Sequence, residues 1–302
     1  MKILILGGSG GLSGTLARMA VEQKHQVWAV TRGKRALPLG VHPLTADRND
    51  PEEFCRAVLG CGMKWDVVFD CICMTREHAG QDLEVLPKVT GRLVVISTDS
   101  VYDPEHKKVP QDEQGEAYVT DSSYAGKKRQ MEEVFLASPD HPLKWTLFRP
   151  GHIYGPGFLL GCYPEHSRQR ELLEWIRADR PLRLVGGGRY LTQPVYVEDL
   201  ADCMLECVYK EKTFHEIFCI GGPVAVENRT YYEQIGEITG HPVEICEVPL
   251  EGYVQAHPEY AGHLCERSYT LEKLRGAGVK LPATSLEEGL RRQILWLDSQ
   301  RN

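Results

Sequence analysis

The chain has 302 residues, 42% hydrophobic and 25% charged, which is enough for one large α/β domain and a smaller appended lobe. A formal net charge of −7 argues against a surface built to hold a polyanion, since that needs clustered Lys and Arg, so nucleic acid is not the expected partner. No window approaches the roughly 18 apolar residues of a membrane span, and Met1-Lys2-Ile3-Leu4 is not the start of a secretory leader, so the chain is expected to be cytoplasmic with its ten cysteines reduced.

Strands are predicted at 2–6, 27–31, 66–73, 92–97 and 144–149, with helices at 12–23 and 51–59. Short apolar runs alternating with helical patterns read as βαβ units. Several strands are almost wholly apolar, as expected of a parallel sheet covered by helices on both faces. After Arg149-Pro150 the pattern loosens into Gly, Pro and aromatic residues, then returns at 194–197 and 217–220. The chain is therefore expected to leave the sheet, begin a second lobe and revisit the first domain. Further helices are predicted near 230–239, 270–276 and 285–298. The expected division is residues 1–155 with 193–222 in the sheet domain, and 156–192 with 223–302 in the lobe.

Gly7-Gly8-Ser9-Gly10-Gly11-Leu12-Ser13-Gly14 follows the first strand and opens the first helix, the setting of a dinucleotide-binding turn. There small residues let the backbone approach a pyrophosphate, and the helix N-terminus supplies amide donors and a positive dipole end. Two frames fit: Gly7 and Gly10 with Ser13, or Gly8, Gly11 and Gly14. The second strand ends in Thr31-Arg32-Gly33-Lys34-Arg35, with no carboxylate to bind the ribose 2′-hydroxyl of NAD. Arg32 can instead meet a 2′-phosphate, so NADP(H) is the expected cofactor, with NAD the alternative. Asp47-Arg48, following a third strand, is placed to meet the adenine.

Tyr124 and Lys128 stand at i, i+4 on a helix that Ser122 or Ser123 caps. The same spacing recurs at Tyr269 and Lys273. Position separates the two pairs, because the strand 93–96 ends in Ser97-Thr98-Asp99-Ser100 about 25 residues before Tyr124, at the carboxyl edge where such sheets bind ligands. A phenol is a poor base at neutral pH unless a neighbouring cation lowers its pKa, and Lys128 is expected to supply that charge. Thr98 then hydrogen-bonds the substrate oxygen. No metal is expected, since Cys71 with Cys73, and Cys203 with Cys207, lack zinc-site spacing and read as small buried hydrophobes.

Five segments in order resemble the extended short-chain dehydrogenase/reductases, the NAD-dependent epimerase/dehydratase family: GGSGGLSG at 7–14, ISTDSVYD at 96–103, YAGKK at 124–128, LFRPGHIYGPG at 147–157 and GGGRYLTQPVYVEDLADCM at 186–204. The resemblance implies an α/β fold with a Rossmann-type, doubly wound parallel sheet and a smaller C-terminal α+β substrate lobe. It implies Tyr124 as acid/base, Lys128 holding the ribose and Thr98 as the active-site hydroxyl. Its cofactor set falls on Gly7, Gly8, Ser9, Gly10, Gly11, Leu12, Arg32, Asp47, Arg48, Cys71, Ser97, Tyr124, Lys128, Pro150 and Ile153. Asp99, Ser100, His152 and Arg189 are the expected substrate contacts.

There are departures from the family pattern. ISTDSVY is similar to the dTDP-glucose 4,6-dehydratases, but Ser100 stands where those carry Glu, which weakens the case for elimination. His152 stands at a common substrate-facing Asn. Thr192-Gln193 replaces an Arg common in nucleotide-sugar enzymes, leaving Arg189 as the nearest cation for a diphosphate. VTRGKR and LFRPGHIYGPG are also similar to the chloroplast stem-loop-binding branch, which implies RNA binding as the rival function. The expected substrate is a small sugar-like or nucleotide-sugar carbonyl or hydroxyl compound, and the expected assembly a monomer or homodimer.

Overall fold

The computed structural model describes residues 1–301. Its central sheet contains β1 (Lys2–Leu6), β2 (Gln26–Thr31), β3 (Val41–Thr45), β4 (Val67–Asp70), β5 (Arg92–Ile96) and β6 (Lys144–Pro150). Beyond β6 lie two short strands, β7 (Ile153–Tyr154) and β8 (Leu182–Val185), then β9 (Leu191–Thr192), β10 (Val195–Tyr196) and β11 (Glu216–Ile220). The sheet order is β3-β2-β1-β4-β5-β6-β11 and every pair is parallel, so the doubly wound Rossmann-type expectation holds. Helices α1 (Gly11–Glu22), α2 (Pro51–Gly60), α3 (Arg76–Val85) and α4 (Tyr124–Leu136) connect the strands.

The nearly continuous apolar strands are explained by burial on both faces. Ile3, Ile5, Phe69, Val94 and Phe148 point to one core, together with Leu16 and Ala20 of α1. Leu4, Leu6, Val68, Leu93 and Leu147 point to the other, with Phe54 of α2 and Phe135 of α4. The first core also receives Leu200 and Met204 from α6 (Val197–Glu206).

The second lobe has its own core, in which Tyr154, Leu172, Leu184, Tyr231, Tyr232, Leu290 and Ile294 pack. These come mostly from α5 (Leu172–Arg177), β8, α7 (Asn228–Thr239) and the C-terminal helix Leu286–Ser299. One segment expected in the lobe packs on the sheet domain instead: Leu274, Ala277 and Val279 join the first core, and Tyr269 packs on Tyr102 and Cys219.

Local chemistry accounts for the boundaries that differ from expectation. β4 stops at Asp70 because its carboxylate accepts the Ile72 amide at 2.8 Å, turning Cys71–Cys73 out of the sheet. β3 is a half-exposed edge strand containing Pro43, so it shows neither apolar alternation nor a continuous run. All ten cysteines are free thiols, and Cys203 and Cys207 are buried against the carbonyls of Lys280 and Met204. No helix among the described residues is long and apolar enough to cross a membrane.

Candidate functional site

The turn after β1 has the shape its sequence requires. Gly7 and Gly8 both have φ of +110°, and a Cβ on Gly8 would lie 2.6 Å from the Cβ of Ala29 on β2, so only glycine fits. Ser13 is buried and its hydroxyl accepts the Gly10 amide at 3.1 Å, close against Gly7. The tight helix–strand approach is thus made at Ser13, which selects the frame of Gly7, Gly10 and Ser13. The first helical bond runs from Gly14 to Gly10, which leaves the amides of Gly11, Leu12 and Ser13 without helical acceptors. That combination of open backbone and free donors fits a pyrophosphate.

Around this turn the expected adenine and ribose contacts are placed unevenly. Arg32 is exposed at the end of β2, and Asp47 lies near enough for Arg32 and Lys34 to help depress its pKa, after the larger effect of hydrogen bonds from Asn49. Arg48 differs from expectation. Its guanidinium is buried, paired with Asp70 and with Asp82 at 2.8 Å, and donates to the His78 carbonyl, so only its backbone is free to face an adenine. The same guanidinium sits among Asp70, Cys73 and Asp82, the three side chains whose ligand atoms converge within 4.8 Å. Cys71 lies beyond the end of β4, its amide bonded to the Leu6 carbonyl.

The carboxyl ends of β5 and β6 face the lobe across a cavity of about 530 Å³. Thr98, Asp99, Ser100, Tyr124, Pro150, His152 and Ile153 all line it, so both expected hydroxyls and three of the four expected substrate contacts meet in one place. A larger hollow, about 1090 Å³, lies on the α2 and α3 surface and contains none of the paired hydroxyls.

Helix α4 begins where the site needs it. The Ser123 hydroxyl accepts the Gly126 amide at 3.3 Å, which makes Ser123 the cap. A Cβ on Gly126 would fall 2.0 Å from the Asp121 carbonyl oxygen, so glycine lets Tyr124 stand directly at the helix start. Tyr124 is 57% exposed as a residue, yet its hydroxyl end is enclosed by the cavity that Thr98 also lines. That enclosure raises the phenol pKa above its usual value, and the Asp99 carboxylate raises it further. The Thr98 hydroxyl and the Arg168 guanidinium pull it down.

Lys128 is placed differently from expectation. Its ammonium is buried and donates to the carbonyls of Cys73 at 2.6 Å and Ile96 at 2.5 Å, tying together the ends of β4 and β5. Burial lowers its pKa. Cut off from water, a buried ammonium takes the nearest acceptors, and here these are two main-chain oxygens rather than the phenol. Lys128 therefore spends these donors on the main chain and not on the Tyr124 phenol in this arrangement.

The floor of the cavity is an ion cluster. Asp99 is buried and accepts from Arg267 at 3.0 Å, from Lys107 at 3.3 Å and from the Tyr269 hydroxyl. Burial alone would raise its pKa, but Arg267, Lys107 and Tyr269 overcome that and bring it down to about 2. Arg267 and Tyr269 carried no local signal for this role. The Tyr269–Lys273 spacing pointed elsewhere, and Lys273 is turned away toward the Ile217 carbonyl and the Glu216 carboxylate.

Because the folded pKa of Asp99 lies below that of an ordinary carboxylate, its contribution to stability is present above about pH 4 and is lost as pH falls toward 2. It should amount to about 2–3 kcal/mol. Thermal melts of wild type and Asp99→Asn are expected to differ most near neutrality and converge on acidification; a constant gap across pH 2 to 6 would contradict the assignment.

Ser97, expected at the cofactor, donates its hydroxyl to Glu132 at 2.6 Å. His152 lines the cavity edge-on to Tyr231, and burial followed by Arg168 and Arg267 lowers its pKa to about 3, so it is neutral. Arg189 is a correction. It is an exposed side chain paired with Glu247 at 2.8 Å, and it does not line the cavity, because the left-handed Gly186–Gly188 turn carries it to the surface. The cavity arginines are Arg168 and Arg267.

The model described as the NAD dependent epimerase/dehydratase family matches residues 82–221. The chain is 31% identical over 240 residues to the chloroplast stem-loop binding protein of 41 kDa b of Arabidopsis thaliana, covering 73% of this chain and 58% of that protein's length. It is 28% identical over 307 residues to the 2-alkyl-3-oxoalkanoate reductase of Stenotrophomonas maltophilia, covering 91% of this chain and 86% of that one. Its fold matches the dTDP-glucose 4,6-dehydratase of Bacillus anthracis, solved in complex with NAD, with a TM-score of 0.79 at 19% identity over 100% and 97% of the two chains. Residues 82–221 thus form a domain of the NAD-dependent epimerase/dehydratase family, the extended short-chain dehydrogenase/reductases.

Proposed function

We propose that the chain is a nicotinamide-dinucleotide-dependent oxidoreductase, or an epimerase built on the same step, acting on a sugar-like or nucleotide-sugar carbonyl or hydroxyl. The observation that supports this most is the meeting of the Thr98 and Tyr124 hydroxyls in one cavity at the carboxyl edge of the sheet. Bound at the Gly7–Ser13 turn, the dinucleotide supplies the hydride acceptor or donor. Tyr124 carries the proton at the substrate oxygen, and Thr98 hydrogen-bonds that oxygen as it changes between alcohol and carbonyl. Lys128, fixed beneath Tyr124 on the same face of α4, is the group that would hold the nicotinamide ribose. Asp99 stays ionised and bound to two cations, so it holds the cavity floor and is not an acid for elimination.

The first test is nicotinamide absorbance against a panel of sugars, nucleotide sugars and small ketones, including 3-oxo acids of the kind the Stenotrophomonas relative is named for. A stem-loop RNA bound tightly at physiological salt, with no turnover of any panel member, would replace this reading with that of an RNA-binding relative.

NADP(H) is the proposed cofactor because the β2 turn offers Arg32, Lys34 and Arg35 and no acid of its own. NAD, the cofactor in the Bacillus anthracis complex, is the alternative. In calorimetric titrations Arg32→Ala is expected to weaken NADP(H) about tenfold, the worth of one charge-assisted contact, and to leave NAD(H) unchanged. Tighter binding of NAD(H) by the wild type would overturn the preference.

A further inference from the structure

The cavity carries excess positive charge in a chain whose net charge is −7. Asp99 is the only carboxylate in its lining, and Arg267 and Lys107 already share it. Arg267 is therefore neutralised in place. Arg168 is not, since among the described residues no carboxylate stands within ion-pair distance of its guanidinium. Its field reaches two groups of the cavity lining: it helps lower the pKa of His152 and pulls on the Tyr124 phenol.

Arg168 is also held in position. Its guanidinium lies over the Phe158 ring, 5.1 Å from the centroid, and Phe158 presses on Gly11 at the head of α1. Its backbone adopts φ of +50°, an unfavourable conformation for an L residue, and its amide donates to the Gly161 carbonyl at 3.2 Å. The lobe fixes that loop, with the amides of Gly161 and Cys162 donating to the hydroxyls of Tyr231 and Tyr232.

We propose that Arg168 anchors an anionic group of the substrate, a carboxylate or phosphate, beside the Thr98–Tyr124 pair. The proposal rests on the hydride-transfer reading and narrows its substrate class to acids. A planar guanidinium offers two parallel N–H donors to one oxyanion, and stacking on Phe158 leaves that edge free. Neutral His152 and His263 add no competing charge, the latter brought to about 4 by burial and then by Arg267. The rival source of the same chemistry is the dinucleotide's own phosphate, because Phe158 links Arg168 to the phosphate turn.

The experiment titrates malonate and its neutral analogue malonamide into the dinucleotide-loaded protein by calorimetry, and titrates the dinucleotide separately. Malonate is expected to bind wild type, to bind Arg168→Met at least about tenfold more weakly, and to bind Arg168→Lys with intermediate strength. Malonamide should show no dependence on residue 168, and dinucleotide affinity should be the same in all three proteins. Three results would each overturn the proposal: no malonate binding to wild type, equal binding to Arg168→Met, or a dinucleotide affinity that falls as far as malonate's. Failure of wild type to bind any nicotinamide dinucleotide would instead refute the hydride-transfer reading. Malonate titrated into the unloaded proteins would then decide the anion site by the same comparison.

Discussion

Replacing Tyr124 by Phe is expected to lower kcat by about 10²–10⁴-fold, the range for loss of a positioned proton carrier, while dinucleotide affinity stays unchanged. The change removes one oxygen from a residue that is more than half exposed overall and leaves the Ser123 cap and the Gly126 contact with Asp121 in place. Stability should therefore be unaffected, and the loss should appear in kcat rather than in the melting temperature. Lys128→Met is expected to do more. It removes the donor shared by the Cys73 and Ile96 carbonyls, so it should cost stability as well as turnover and cofactor binding. Tyr269→Phe is the control, since its hydroxyl serves Asp99 and Lys273 does not face it. If Tyr269→Phe abolished turnover while Tyr124→Phe left it intact, the choice between the two Tyr and Lys pairs would be wrong.

The parts of this molecule that could be read from sequence are those in which function and local backbone coincide. The Gly7–Gly14 turn, the Thr98 strand end and the start of α4 each carry chemistry in consecutive residues, and the strands and helices flanking them are present close to their predicted bounds. What could not be read depends on distant segments. Arg267 and Tyr269 reach Asp99 from 168 and 170 residues away, across the return of the chain to the sheet domain, and no periodicity encodes that approach. Arg189 illustrates the converse. Sequence order put it nearest the missing cation, but the turn before it decided which way its side chain points. Arg48 shows a third limit, since a residue next to the adenine position in sequence can still spend its side chain on a buried pair beneath α3. Helix α3 itself went unpredicted because only Ala79, Asp82 and Val85 of its ten residues are buried, too narrow a face to register as a stripe.

Glu132→Ala is expected to destabilise the protein by about 3–5 kcal/mol and to lower its melting temperature by roughly 10 °C. Glu132 lies one further turn along the face of α4 that carries Tyr124 and Lys128, and it is fully buried. It meets Arg149 of β6 through two bonds, Nε to Oε1 at 2.9 Å and Nη2 to Oε2 at 2.6 Å, and accepts the Ser97 hydroxyl at 2.6 Å. Arg149 in turn donates to the Tyr102 hydroxyl at 2.7 Å and to the Glu113 carbonyl at 2.9 Å. One carboxylate thus joins the ends of β5 and β6 to the helix bearing the reactive tyrosine. Removing it leaves a guanidinium in the core with two of its four hydrogen bonds lost, and that desolvated charge, rather than the lost attraction, dominates the cost. The double variant Glu132→Leu with Arg149→Met separates the two contributions. It should recover a large share of the stability, because a buried pair replaced by apolar side chains of similar size is often close to neutral. Turnover should not recover with it, since Ser97 at the end of β5 loses its acceptor and the Thr98–Tyr124 alignment loses its support. Denaturant melts and kcat on the wild type, Glu132→Ala and the double variant test this. Recovery of both quantities in the double variant would show that Glu132 and Arg149 serve the fold alone and do not position the site.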